Sequence, residues 1–349
     1  MHSINYVRSD GTKTRNRLDA RIPDNDVFLS LGDNFDQHDF TKTVSYSYQS
    51  LLIERWEQLR KKYSHISLWF SGGRDSRIAL DLAIQNNIYI DEICVVRPTL
   101  LPDNLRVLNL AEVDVNAIQY LDAIKDKIPN TKINIIEFRD RHFATVYQNP
   151  NWVNAGAPWM IWRAWMTVHL FRYFKDEFSL TDGDGAVNVL GAIHPHIHTD
   201  DNNNWILQFI DLQFQDLEKS VEIFNVADDM PELTKAYADM ARNWCIANSV
   251  VPKRFAITPN DMRNNMALYQ QIKLVNSQLQ FPKNWNNWVP ENSIPYQINA
   301  GFKSTMNLLL CEQQSPQPQG YINYINNTDW PRIEAELQYG GICSKSFVF

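Results

Sequence analysis

Glycine is scarce, 12 of 349 residues, and cysteine is scarcer, with four. Those four, Cys94, Cys245, Cys311 and Cys343, stand singly, and no CxxC pair occurs. Neither a zinc ribbon nor a disulfide framework is indicated, and a reducing cytoplasm is the expected setting. No stretch approaches the roughly 20 uncharged apolar residues of a membrane span. Met1 to Asn5 carry no basic start followed by an apolar run, so no secretory leader is expected. Positive charge is not in surplus either: Lys plus Arg is 33, Asp plus Glu is 40, and the net charge is −7. A broad grip on nucleic acid needs clustered Lys and Arg, so that class is disfavoured. A small nucleotide held mainly by backbone amides is still allowed. GxSxG, HExxH and GxxxxGK[ST] are all missing. The usual serine-hydrolase, zinc-protease and γ-phosphate-transfer signatures go with them.

What is present is an ordinary globular balance, 44% apolar and 21% charged, over a length that allows two or three domains. Residues 1–60 read as an irregular arm, with one short strand at Val27–Leu29, and a lead-in helix. That helix falls between Thr41 and Tyr63, where Leu51, Leu52, Trp56 and Leu59 recur at helical spacing. Residues 61–204 alternate: strand at His65–Phe70, helix from Ile78, strand at Ile88–Val96, helix at Asp114–Ile128, strand at Lys132–Phe138. A helix is expected at Trp159–Phe174 and a short strand at Phe178–Leu180. Such alternation predicts an α/β fold with a doubly wound parallel sheet. Beyond residue 205 the alternation is expected to end. Asp216–Val226, Glu232–Ala247 and Asp261–Leu279 look helical, so 205–349 is expected to be a mainly helical substrate or cap region. Asn284–Trp288 and Gln313–Gly320 read as loops.

The strongest chemical signal is Ser71-Gly72-Gly73-Arg74-Asp75-Ser76, placed between a strand and a helix. Two glycines let the backbone approach an anion, and a helix start offers N–H groups and a positive dipole end. Ser71 and Ser76 can add hydroxyl donors. Asp75 would repel a bare phosphate, so its presence points to a bridging divalent cation, with Mg²⁺ the first choice. The plain alternative is a tight turn with a capping serine. Arg77, on the first helical turn, could reach a phosphate or sit in a surface salt bridge.

SGGRDS resembles the SGGxDS pyrophosphate loop (PP-loop) of the ATP pyrophosphatase superfamily, which includes asparagine, GMP and NAD synthetases and tRNA-thiolating enzymes. The resemblance implies an adenine nucleotide alpha hydrolase-like fold and binding of ATP with Mg²⁺. Thr181-Asp182-Gly183-Asp184-Gly185, expected to end the Phe178–Leu180 strand, looks like the acidic glycine turn of the asparagine synthetase and β-lactam synthetase branch. Glu112-Val113-Asp114-Val115-Asn116-Ala117 resembles that branch's acidic helix start. The likeness covers roughly residues 60 to 190. It implies that Asp75, Asp182 and Asp184 share the metal, with Ser71, Gly72, Gly73, Arg74, Ser76, Gly183 and Gly185 around the nucleotide. Adenine is expected along Ile93–Arg97. Asp-Gly is also an ordinary solvated turn pair.

Two departures bear on activity. Val187 stands where the branch usually places another metal-binding Asp. His2, not cysteine, follows Met1, and the stretch before the loop is too short for a glutaminase domain. Glutamine hydrolysis is therefore not expected, and the nitrogen would come from ammonia or an amine. The branch uses a late lysine. Lys303 is the first candidate and Lys253 the second, although a plain surface lysine is the commoner reading for each. His194, His196 and His198 would point to one side of an extended chain. They suit a substrate-binding loop over the crevice, with a transition-metal site as the other possibility. The tryptophans Trp159, Trp162 and Trp165 suit a buried helix face better than a base-stacking platform.

The expected activity is an AMP-forming, ATP-dependent ligase. It would adenylate a carboxylate or carbonyl-type oxygen of a small molecule and pass it to an amine or ammonia. The rivals are a nucleobase- or tRNA-modifying relative, a nucleotide-binding sensor or subunit without turnover, and a reductase of the adenylylsulfate type using Cys343.

Overall fold

A computed structural model of the chain describes residues 5–14, 27–98, 111–139, 141–142, 145, 173–191, 195–209, 221–247, 249, 251–252 and 344–349. Strands β1 (Asn5–Val7), β2 (Lys13–Thr14) and β3 (Phe28–Ser30) form an antiparallel sheet in the order β2-β1-β3. Among its described residues the expected irregular arm thus carries three strands rather than one. Helix α1 (Asp33–Gln37) follows, then α2 (Tyr48–Lys62). Ser47 caps α2 by accepting the Ser50 N–H at 3.1 Å, and Arg60, Lys61 and Lys62 complement the dipole at its end. Its buried stripe includes Leu51, Leu52, Trp56 and Leu59, the spacing seen in the sequence.

Next come β4 (His65–Trp69), α3 (Arg74–Gln85) and β5 (Glu92–Pro98). A π-helix, Ala111–Ile118, runs into α4 (Gln119–Ile124) and a 3₁₀ turn at Lys125–Lys127. The remaining elements are β6 (Lys132–Phe138), β7 (Ala186–Leu190), β8 (His196–Thr199), β9 (Trp205–Gln208), β10 (Val221–Ile223), α5 (Pro231–Ala247) and β11 (Phe347–Val348). Five strands make one parallel sheet in the order β10-β7-β4-β5-β6. The chain is α/β.

One sheet face carries Ile66, Leu68, Ile93, Val95, Val187 and Val189, all buried in a core shared with α2, α3 and α5. Trp56 joins α2 to α3, its indole N–H donating to the Ala79 carbonyl at 2.8 Å. Trp56 is fully buried. Trp56→Ala is therefore expected to cost about 3–5 kcal/mol in urea unfolding. A loss under about 1 kcal/mol would mean that α2 is not docked on the sheet.

The other face is polar although buried. Ser67, Glu92 and Asn188 are all but inaccessible. Parallel strands usually read as continuous apolar runs, so each of these groups needs a partner. Ser67 Oγ donates to Glu92 at 3.3 Å, Asn134 donates to Glu92 at 3.0 Å, and Lys132 Nζ lies 2.7 Å from the same carboxylate. Trp69 donates its indole N–H to Asn188 Oδ1 at 2.9 Å.

Three expectations change here. Phe178–Leu180 is not a strand. Leu180 N–H donates to the Lys175 carbonyl, Ser179 N–H donates to Asp176, and Ser179 has φ +50. That is the left-handed closure of a helix end. Val221–Ile223, expected within a helix at Asp216–Val226, is the edge strand β10, because its buried residues dock beside β7. The parallel sheet therefore takes a strand from past residue 205, where the alternation was expected to end. The helix expected at Glu232–Ala247 is α5. Trp159–Phe174 up to residue 172, Asp261–Leu279 and the loops at 284–288 and 313–320 lie outside the described residues.

β11, β9 and β8 form a third, antiparallel sheet. A second core unites Tyr6, Leu29, Phe35 and Phe40 with Leu207, Phe209, Phe347 and Phe349. Among the described residues, no helix is long and apolar enough to cross a membrane.

Candidate functional site

In chain order the five parallel strands are β4, β5, β6, β7 and β10. Across the sheet the chain steps from β4 to β5 and β6 on one side, then returns to place β7 and β10 on the other. The reversal falls between β4 and β7. In open parallel sheets that is where the strand ends part and leave a crevice. Ser71–Ser76 follows β4 at its carboxyl end and lies at this reversal.

The loop is held by its own serines. Gly73 N–H donates to Ser71 Oγ at 3.1 Å, and Ser71 N–H donates to Ser76 Oγ at 3.2 Å. Ser76 Oγ donates to the Gly73 carbonyl at 3.1 Å and lies 3.2 Å from Ser71 Oγ. Both side chains thus shape the turn, Ser76 Oγ as donor to Gly73 and Ser71 Oγ as acceptor from it. Gly72 has φ +75, and a Cβ there would sit 2.5 Å from the Ala117 amide nitrogen. The loop rests directly on the π-helix. Gly73 is the N-cap of α3 and no side chain caps it. Helix geometry gives the first-turn amides no acceptor within α3, and the positive end of the helix dipole lies at this turn. Asp75 occupies that first turn.

Gly191, immediately after β7, packs against the start of α3. A Cβ on it would lie 2.8 Å from Ser76 Cα and 2.9 Å from Ser76 N. Sequence reasoning missed this residue. The available signal was a single glycine ending the apolar run Val187–Leu190, the same strand-then-glycine grammar as Phe70-Ser71-Gly72.

The acidic turn lies elsewhere. β4 and β7 run parallel, with His65 opposite Ala186 and Trp69 opposite Leu190. Residues 181–185 precede β7, and Ser64 N–H donates to the Gly185 carbonyl at 2.8 Å. The turn therefore sits at the amino ends of the strands, about 15 Å along β4 from SGGRDS at roughly 3.3 Å per residue. One ion cannot join Asp75 to Asp182 or Asp184, so the shared metal site is corrected. Asp182 pairs with Lys175 at 3.2 Å and accepts the Gly183 N–H, while Asp184 is exposed. Gly183 and Gly185 lie at that end with them, away from SGGRDS. The cause is the reversed order: turn then strand, not strand then turn.

Arg77 stacks its guanidinium on the Tyr120 ring, 3.8 Å from the centroid, and lies 3.9 Å from Asp81. Of the two expected roles, the ion pair is the one with a partner here, Asp81 on the same helix. Burial pushes the Asp81 carboxyl up, against the opposing Tyr120 hydrogen bond and Arg77 charge. Cys94 is buried, which pushes its thiol well above the ordinary range. At the carboxyl end of β5, Arg97 donates from Nε to Asp114 Oδ1 at 2.8 Å and from Nη2 to Oδ2 at 3.2 Å. These bonds hold its pKa above the ordinary value.

His196 and His198 lie on β8, in the antiparallel sheet. His198 is buried. The side chains of Arg74 and His196, and all of His194, Lys253, Lys303 and Cys343, lie outside the described residues. Among the described residues, no group of three or more His, Cys, Asp or Glu is placed to hold a metal ion. No family model matches the chain, and no curated protein matches it.

Proposed function

We propose that the chain is a doubly wound nucleotide-binding protein whose SGGRDS loop holds the β- and γ-phosphates of ATP, and that it is an AMP-forming ligase. The observation that supports this is the place of the loop: a glycine turn entering a helix start, at the carboxyl ends of parallel strands, where the strand order reverses. Mg²⁺ commonly keeps several waters and takes one or two carboxylates plus substrate phosphates. A single carboxylate, Asp75, fits that donor set. When bound, the ion would offset the charge of the departing pyrophosphate.

The chain's own part is positioning. First-turn amides of α3 orient the phosphates, and the packing of Gly72 and Gly191 fixes those amides before ATP arrives. A carboxylate or carbonyl-type oxygen then attacks the α-phosphorus, and pyrophosphate leaves. An amine or ammonia attacks the activated carbon, losing a proton as AMP departs; a carboxylate becomes an amide, and a carbonyl-type oxygen leaves on AMP with nitrogen in its place. ATP and a small acyl substrate with its amine are the partners. Residues 205–349, with Lys253 and Lys303, and the histidine segment are proposed to shape the acyl site.

A second reading, nucleotide binding without turnover, is favoured by one observation: Asp182 and Asp184 lie at the opposite edge. Calorimetry with ATP and Mg²⁺, wild type beside Asp75→Ala, with AMP and pyrophosphate assayed in the same tube, separates the two. Binding that is lost in Asp75→Ala, with AMP formed once carboxylates and amines are added, is the expected result. Binding without AMP under every substrate mixture would leave the sensor reading. No binding by the wild type would remove both.

A further inference from the structure

Three features meet behind the phosphate loop. Gly72 lies so close to Ala117 that a Cβ on it would sit 2.5 Å from the Ala117 amide nitrogen. Ala117 belongs to the π-helix Ala111–Ile118, a rare form that carries one extra residue in a turn. The same π-helix is tied to the sheet through Asp114, which receives two hydrogen bonds from Arg97 on β5. β5 is the sheet neighbour of β4, from which the loop springs. Glu137 on β6 stands 3.6 Å from the far side of the Arg97 guanidinium, and Arg139 pairs with Glu137. Arg97 is thus fixed from both sides.

We propose that Arg97 and Asp114 are positioning residues: their pair keeps the Ala111–Ile118 segment in its π register, and that register holds Gly72 and the SGGRDS amides in phosphate-binding shape. This rests on the phosphate-site reading above. The physics is a matter of register. The segment is anchored ahead by Asp114 and behind by the buried Leu121 and Ile124. Between these anchors the extra residue has nowhere to go. Releasing Asp114 lets the turn relax toward an α-helix. A one-residue slip rotates the next turn of the helix by about 100° around the axis. Ala117 then no longer backs Gly72, and the loop loses its support. A fork of two bonds from a planar guanidinium suits such a pin, because it fixes direction as well as distance.

The test uses the full chain and inorganic pyrophosphate with Mg²⁺, read by calorimetry, with hydrogen exchange of segments 71–76 and 111–118 beside it. Asp114→Asn removes the charge and one acceptor. It is expected to weaken pyrophosphate binding tenfold or more, on the order of one strong hydrogen bond, and to speed exchange in both segments. Arg97→Gln should do the same, and it carries the test if Asp114→Asn does not fold. The control is Asp91→Asn, which breaks the Arg60–Asp91 ion pair at the opposite edge of the sheet. It should leave pyrophosphate affinity and exchange at 71–76 unchanged. Equal affinity and exchange in wild type and both Arg97 and Asp114 variants would overturn the inference. So would an equal loss in Asp91→Asn, since the effect would then be general stability. No binding by the wild type would instead sink the phosphate-site reading, while exchange at 71–76 still reports whether the pair supports the loop.

Discussion

Gly72→Ala is expected to weaken ATP binding about 100-fold or more, the cost of two charge-assisted hydrogen bonds. Two effects act together. Gly72 has φ +75, a region in which an L side chain costs roughly 1–2 kcal/mol. The added Cβ would also sit 2.5 Å from the Ala117 amide nitrogen and 2.9 Å from its Cα. Those are backbone atoms of a helix and cannot swing aside as the tip of a long side chain can. The loop has to lift off, and the start of α3, whose first-turn amides are the proposed phosphate donors, moves with it. The core beneath is untouched, so the thermal unfolding transition should remain cooperative. Gly183→Ala is the matched control. Gly183 also has positive φ, +128, but a Cβ there meets nothing within 4 Å, and it lies at the amino edge of the sheet. Its backbone cost should appear in stability and not in ATP affinity. Calorimetry on the two variants gives the answer, and a wild-type dissociation constant in Gly72→Ala would show that the loop does not hold phosphate.

The parts of the fold legible in the sequence were those whose signals are local. Lys132–Phe138 is one strand because its seven residues are bounded by turn formers. The lead-in helix was legible from one apolar stripe and the absence of glycine and proline. SGGRDS was legible because glycines between an apolar run and a helical pattern leave few other conformations. The acidic turn was misplaced for a definite reason. Apolar runs flank it on both sides, Phe178–Leu180 before and Ala186–Leu190 after, and composition does not say which one enters the sheet. Ser179 in the left-handed region decides it, and serine gives no warning of that conformation. The polar sheet face was illegible as well. Ser67, Asn134 and Asn188 alternate with aliphatic residues and so imitate strands wet on one side, whereas Ser67 and Asn188 are buried against partners on neighbouring strands. Arg97 and Asp114 are 17 residues apart, and only the fold brings them together.

Gly191→Val is expected to abolish measurable ATP binding and to cost about 1–3 kcal/mol of stability, the usual range for overpacking. The position has no side-chain space at all. A Cβ alone would lie 2.8 Å from Ser76 Cα and 3.1 Å from the Asp75 carbonyl carbon. Valine adds two methyl groups against the same backbone. The carboxyl end of β7 and the start of α3 must then separate, and the first-turn amides, the proposed phosphate donors, move with α3. The informative comparison is the double variant Asp182→Asn with Asp184→Asn, which alters the amino end of the same strand. It changes charge but no packing near the loop. If the crevice lies at the carboxyl ends, the conservative-looking glycine change is the damaging one, and the loss of two carboxylates leaves the ATP and Mg²⁺ affinities within about twofold, the scale of screened distant charges. The opposite ranking, with the double Asn variant losing Mg²⁺-dependent binding and Gly191→Val keeping it, would put the acidic turn back beside Asp75 and reverse the assignment of which end of β7 meets the nucleotide.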